Sequence, residues 1–304
     1  MIIYLAGVES WHKKMKEWNV KHALSSYYYL RGKGEKVYNS ILDGSFENLF
    51  LDSGAFTLRQ SMAYMTHNET ELDQAVRLYL DEYAEFINRY GEGFTLVAEL
   101  DVGTWQQKTR YREMLEDKIK ANVILTPVIH RADPPQYVDY LCKHYPYVAF
   151  GGLRGYSIKD SISYMSKRLV HTKKYGTKSH GFAMTIVDVM KKFGLTSVDS
   201  ASWVHGSKHG MTFYFDGRNL RSYDKFNKWI RLRFKNEVKN LGISWDDFMD
   251  DKASAVDSWN LAQWVKFQEY LDDEERGLGK FKRVQEAYWR NKDKGEKRDE
   301  SYDF

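Results

Sequence analysis

The chain has 304 residues, of which 42% are hydrophobic, 15% aromatic and 29% charged, with a net charge of +4. That balance excludes a disordered chain, and no apolar run approaches the ~18 residues that a membrane span needs. The single cysteine, Cys142, excludes an internal disulfide and a thiolate-rich zinc centre, and a mildly basic charge is compatible with a nucleic-acid partner without demonstrating one.

Strand-like and helix-like runs alternate, the pattern of parallel α/β architecture. The first strand is predicted at 2–8; its apolar run is too short for a secretory core and has no basic stretch before it, so a cytoplasmic protein is expected. A helix at 11–18 leads to a second strand at 23–30, with three consecutive tyrosines, and a third at 49–54. A long amphipathic helix at 71–90, with Thr70 as its N-cap, precedes a fourth strand at 94–102. A charged helix at 105–121 leads to a fifth strand at 123–130. Pro134 and Pro135 open the next helix, whose Cys142 reads as a small buried residue. The sixth strand is predicted at 147–153, a helix at 157–175, and the last two strands at 180–185 and 197–202.

Eight strands with intervening helices predict a (β/α)8 TIM barrel at 1–205. A mainly helical C-terminal extension, 206–304, packs on it: a hairpin at 211–219 turning at Asp216-Gly217, helices at 225–241 and about 246–275, and a frayed end from 280.

Three predicted strands end in acids: Asp52, Asp101 and Asp199. His130 ends the fifth, Gly151 and Gly152 the sixth, and Phe182 stands at the end of the seventh. Barrel enzymes keep their chemistry at this end of the strands, so the set reads as a convergent polar cluster. A lone strand-end acid is ordinarily a turn former or a helix cap, and three at one mouth weaken that plainer reading. Glu99, on the same predicted face as Asp101 but deeper, reads as a buried structural acid that needs a hydrogen-bonding partner.

Asp52-Ser-Gly-Ala-Phe56, Leu100-Asp101, Gly151-Gly-Leu153, His180-Gly-Phe-Ala-Met184 and Val198-Asp-Ser200 occur in the order used by the tRNA-guanine transglycosylase superfamily. The chain resembles most its phage and bacterial DNA branch (DpdA-type), which inserts 7-deazaguanine derivatives into DNA, over about residues 1–205. The resemblance implies that Asp199 is the nucleophile toward C1′ and Asp52 the general acid/base. It implies that Asp101 reads the guanine-like edge, that Phe56 and Phe182 sandwich the base, and that Gly151 and Gly152 present backbone groups to it. DNA and a 7-deazaguanine-type free base would be the partners, with no cofactor.

Two departures stand out. His130 occupies the place of a glutamine in the tRNA enzymes, so recognition of the base carbonyl could differ. Their three-cysteine, one-histidine zinc site has no counterpart, although His205 and His209 could form part of a ligand set on one helical turn. Downstream, Arg218, Arg221, Lys225, Lys228, Arg231, Arg233 and Lys235 form a one-signed run suited to phosphate contacts. Three other readings stay open: the same chemistry on tRNA, a non-catalytic nucleic-acid-binding barrel, and a two-carboxylate barrel hydrolase acting on glycosides.

Overall fold

Strands joined by connections of about a dozen residues or more pair in parallel, and this chain follows that rule throughout its main sheet. The computed structural model describes residues 1–63, 68–152, 157–184, 193–224 and 227–275. Its barrel strands are β1 (Ile2–Ala6), β2 (His22–Ser26), β3 (Asn48–Asp52), β4 (Leu96–Ala98), β5 (Leu125–Thr126), β6 (Val128–Ile129), β7 (Tyr147–Phe150), β8 (Lys178–Gly181) and β9 (Ser197–Ser200). All neighbours are parallel, in the order β5-β4-β3-β2-β1-β9-β8-β7-β6. The two ends of that order, β5 and β6, are halves of one predicted strand divided at Pro127, so the sheet closes through the chain itself. The architecture is a (β/α)8 barrel with a helical C-terminal region.

Proline brings no N–H to a ladder, which is why the fifth strand splits at Pro127, with β5 pairing β4 and β6 pairing β7. The second strand also departs from its predicted span of 23–30, because β2 stops at Ser26 and Tyr27–Leu30 forms a helical turn. The Tyr27 ring is drawn among Tyr79, Tyr83 and Phe86, at 5.3, 4.8 and 5.2 Å between centroids. Packing there overrides the β-propensity of the tyrosines. The long helix spans Glu69–Tyr90, and its N-cap is Asn68, not Thr70, since the Asn68 side chain accepts from the amides of Thr70 and Glu71.

Side chains alternate along a strand, so Tyr4, Leu24, Phe50, Leu96, Ala98 and Tyr147 meet inside the barrel. Their neighbours Ile3, Leu5, Ala23, Leu49 and Leu51 face outward into the shell of helices. Beyond β9 lie a short helix (Ser202–His209) and an antiparallel hairpin of β10 (Met211–Phe215) and β11 (Leu220–Asp224). The predicted helix at 225–241 is two short helices, Lys228–Leu232 and Lys235–Asn240. The next is Trp245–Met249, followed by Ala253–Glu275, and Asp251 between them takes a positive φ of 60°.

That last helix puts Leu261, Trp264, Phe267 and Leu271 into the outer core with β1. Gln268 accepts the Ile3 N–H at 2.7 Å and donates to Met1 O at 3.2 Å, satisfying groups at the start of β1, ahead of its pairing with β2. No helix among the described residues is long and apolar enough to cross a membrane.

Candidate active site

Asp52 is the last residue of β3 and stands in register with Ser26, the last of β2. Leu24 and Phe50 face the interior, so strand parity turns Ser26 and Asp52 inward as well. The chain leaves the strand at once through Gly54, at φ +75°, where a Cβ would lie 2.4 Å from Tyr28 Cβ. Only glycine allows that turn. It aims the Gly54 N–H at Asp52 Oδ2, 3.1 Å away. Burial, and then the charges of Asp101 and Asp199, push the Asp52 carboxyl up to about 7, against the opposing pull of the Gly54 amide and the Ser26 hydroxyl. An acid poised there can both give and take a proton at neutral pH.

Asp199 lies opposite Tyr4 in the β1–β9 register and is 8% exposed. Its Oδ1 accepts from the Ala183 N–H at 2.7 Å and lies 3.3 Å from His180 Nε2. Ala183 holds that amide in place from a left-handed conformation, φ 53°, which a non-glycine residue adopts at a cost. His180 is completely buried, ringed by Tyr4, Phe50 and Phe182 at 5.9, 4.7 and 4.6 Å. Burial lowers its pKa despite the opposing influence of Asp199, leaving the ring neutral.

Asp101 lies three residues beyond β4, and His130 follows β6 directly. They are partners: His130 Nε2 is 2.7 Å from Asp101 Oδ2. Since a carboxylate only accepts, Nε2 carries the proton, and the second Asp101 oxygen makes no hydrogen bond among the described residues. Gly151 makes the pairing possible, because a Cβ there would lie 2.9 Å from Val128 Cγ1 and 3.1 Å from His130 Nε2. Gly152 follows at φ +70°, and residues 153–156, including Leu153 of the motif, lie outside the described residues.

Glu99 does not share a face with Asp101. The β4 ladder stops at Ala98, and Glu99 turns toward the helix Trp105–Lys118, where Arg112 Nη1 donates to it at 3.0 Å. It is the buried, hydrogen-bonded acid that was predicted.

The two phenylalanines are not brought together. Phe182 packs in the barrel at 5.5 Å from Phe50, whereas Phe56 is 55% exposed, and their rings do not touch. Exposed Tyr29 and Trp105 share with Phe56 a place shortly after a strand end, so β2, β3 and β4 each contribute an aromatic to the rim. Sequence reading missed both, as it missed His180 and the Ala183 amide. Inward parity in β8 could have found His180; nothing local marks the exposure of Tyr29 or Trp105.

The C-terminal cations divide. Arg231 is a correction: it is 2% exposed, donates to Phe248 O and Thr212 Oγ1, and pairs with Asp251 at 2.6 Å. A guanidinium locked in the core cannot reach phosphate. Arg221 pairs with Asp216 at 2.5 Å, Lys228 donates to Met249 O at 2.8 Å, and Lys235 lies 5.8 Å from the Trp245 ring centroid. Arg218 and Arg233 are exposed, and Lys225 lies outside the described residues. Among the described residues no group of three or more His, Cys, Asp or Glu side chains is arranged to hold a metal ion; the His205 side chain lies outside them. At the opposite end of the barrel, a cavity of about 690 Å³ is lined by Tyr4, Asn48, Tyr147 and Lys178 and holds none of the three mouth acids.

No protein-family model matches the chain, and no curated protein does. Among solved structures, macrophomate synthase aligns at 12% identity over 68% of this chain and 82% of its own, with a TM-score of 0.40. A mutant tryptophan synthase alpha-subunit from Pyrococcus furiosus aligns at 11% identity over 68% and 90%, with a TM-score of 0.42. Likeness at that level carries no argument about this chain's chemistry.

Proposed function

We propose that the chain is a barrel enzyme of the base-exchange transglycosylase type, replacing guanine in DNA by a 7-deazaguanine derivative. The observation that carries this reading is the pair formed by Asp52 and Asp199. One carboxyl is pushed up to about 7 by burial and then by its acidic neighbours, and the other has a single oxygen tied down by two N–H donors.

A free Asp199 oxygen bonds to C1′ as the C1′–N9 bond breaks, and the departing purine keeps the electron pair. Asp52 gives its proton to that purine. The incoming base then returns a proton to Asp52 from its own ring nitrogen, and that nitrogen displaces Asp199 from C1′. Two displacements retain configuration and leave the strand unbroken. Asp101, oriented by His130, has one oxygen left to accept from a guanine-like N–H edge. The exposed rim aromatics Tyr29, Phe56 and Trp105 suit stacking on neighbouring bases, and a duplex substrate would have its base flipped out. One cysteine cannot form the zinc site of the tRNA enzymes, which favours DNA over tRNA.

The test is incubation with DNA and a labelled 7-deazaguanine base, followed by a denaturing gel. Incorporation and a covalent DNA adduct that maps to Asp199 are expected, and both vanish in Asp199→Ala. Salt-sensitive DNA binding without an adduct would instead identify a non-catalytic barrel. Preference for tRNA in direct competition would move the chemistry to the other branch, and turnover of simple glycosides would mark a hydrolase.

A further inference from the structure

Directly beneath Asp199 lies a buried histidine to which the base exchange assigns no step. Enclosing an imidazole among Tyr4, Phe50 and Phe182 is costly unless both nitrogens find partners. Both do. His180 Nδ1 is 2.8 Å from Ser197 Oγ, Nε2 is 3.3 Å from Asp199 Oδ1, and Ser197 Oγ is 2.7 Å from Tyr147 Oη. Strand parity produces the chain, since Ser197 and Asp199 are two residues apart on β9 and so face the same way.

With the ring neutral, only one proton assignment satisfies every member. The Asp199 carboxylate can only accept, so Nε2 carries the ring proton. Nδ1 then presents a lone pair, which the Ser197 hydroxyl fills. With its own proton committed, Ser197 accepts from Tyr147.

We propose that Tyr147, Ser197 and His180 form a positioning relay that holds His180 as its Nε2–H tautomer and so pins Asp199 Oδ1, leaving Oδ2 as the atom that attacks the sugar carbon. The chemical role rests on the base-exchange reading above; the relay itself does not. His180 touches no reacting atom and acts through Asp199. The Ala183 amide holds the same oxygen at 2.7 Å, so both donors converge on Oδ1 and the lone pairs of Oδ2 stay free. A neutral donor orients the carboxylate without cancelling the charge that makes it nucleophilic. Among the described residues the titratable groups facing the ring are Tyr4 and Asp199, with Tyr147 reached through Ser197; its other neighbours, Phe50 and Phe182, are apolar.

Two measurements test this, and the first needs no substrate. Nitrogen NMR of the intact chain with ¹⁵N-labelled histidine should show His180 as the unprotonated Nε2–H tautomer at neutral pH, gaining a second proton only below the usual imidazole range. Ser197→Ala should allow the other tautomer to appear. An Nδ1–H ring in the wild type, ordinary titration near pH ~6.5, or a spectrum indifferent to Ser197→Ala would overturn the relay whether or not the chain exchanges bases.

The second is the rate of adduct formation on DNA. Ser197→Ala and Tyr147→Phe should lower kcat about tenfold, with KM changed less than about twofold, the pattern of a misoriented nucleophile. His180→Gln, which can still offer an N–H to Asp199, should retain more activity than His180→Phe. Equal activity in those two variants, or a change confined to KM, would overturn the proposal. Absence of any adduct in the wild type would count against base exchange and leave the NMR result to decide the relay.

Discussion

Two sets of carboxylates lie close together in this barrel under opposite conditions. At the seam between β4 and β6, Glu99, Lys108, Arg112 and Asp133 are all at most 3% exposed. Each acid there has a cation: Arg112 on Glu99 at 3.0 Å and Lys108 on Asp133 at 2.6 Å. At the mouth, Asp52, Asp101 and Asp199 make no ion pair with a lysine or arginine among the described residues, and burial together with the charges of the other two raises the pKa of Asp52.

The seam charges do structural work that the backbone cannot. Past Pro127, Glu99 Oε1 accepts the Val128 N–H at 2.7 Å and Lys108 donates to Val128 O at 2.8 Å, standing in for the ladder bonds that stop at Thr126. Asp133 also accepts the His130 N–H at 2.8 Å, so the repair of the broken strand positions a residue of the mouth. Burial works against the charge of Glu99, and Arg112 and Lys108 support it. Compensated charge marks structure here. Accumulated charge marks the place where chemistry would be done.

The largest stability effect should come from unbalancing the seam. Arg112→Met strands the Glu99 charge and should lower stability by about 3 to 5 kcal/mol in denaturant unfolding. Adding Glu99→Gln, which keeps an acceptor for Val128, should recover much of that loss. Equal stability of the single and double variants would show that the pairing does not matter.

Removing a mouth acid should have the opposite sign. The folded chain holds the Asp52 proton up to about pH 7, whereas the unfolded chain releases it near 3.8. As pH rises through that window the unfolded state loses a proton that the fold retains, so wild-type stability falls. Asp52→Asn is spared this loss. It should be more stable than wild type by on the order of 2 kcal/mol above pH 7, similar below pH 4, and inactive in base exchange. Thermal melts at the two pH extremes check this, and a variant less stable than wild type at high pH contradicts it.

The smallest effect belongs to an exposed cation outside both sets. Arg233→Ala should change stability by less than about 0.5 kcal/mol. It should also reduce the salt slope of DNA binding by about one, measured by titration at several ionic strengths. An unchanged slope would remove Arg233 from the nucleic-acid surface.

Much of this molecule could be read from local chemistry. Alternating apolar runs, the Asp52-Ser-Gly turn, Pro134-Pro135 ahead of a helix and Asp216-Gly217 in a hairpin depend on neighbours a few residues away, and those neighbours are written in order along the chain. So is the placing of acids at strand ends. Tertiary structure decided what depends on distant partners. Arg231 looks like its exposed neighbours in the sequence, yet Thr212, Phe248 and Asp251 bury it. The three tyrosines after β2 look like strand until Tyr79, Tyr83 and Phe86 claim the first of them. Pro127 announces a break, but not that Glu99 and Lys108 will repair it. His180 gains its role only because Ser197 and Tyr147 arrive from 17 residues later and from the neighbouring β7. Backbone preference is set within one or two turns of chain, whereas burial, pairing and the balance of charge are set between segments that meet only when the barrel closes.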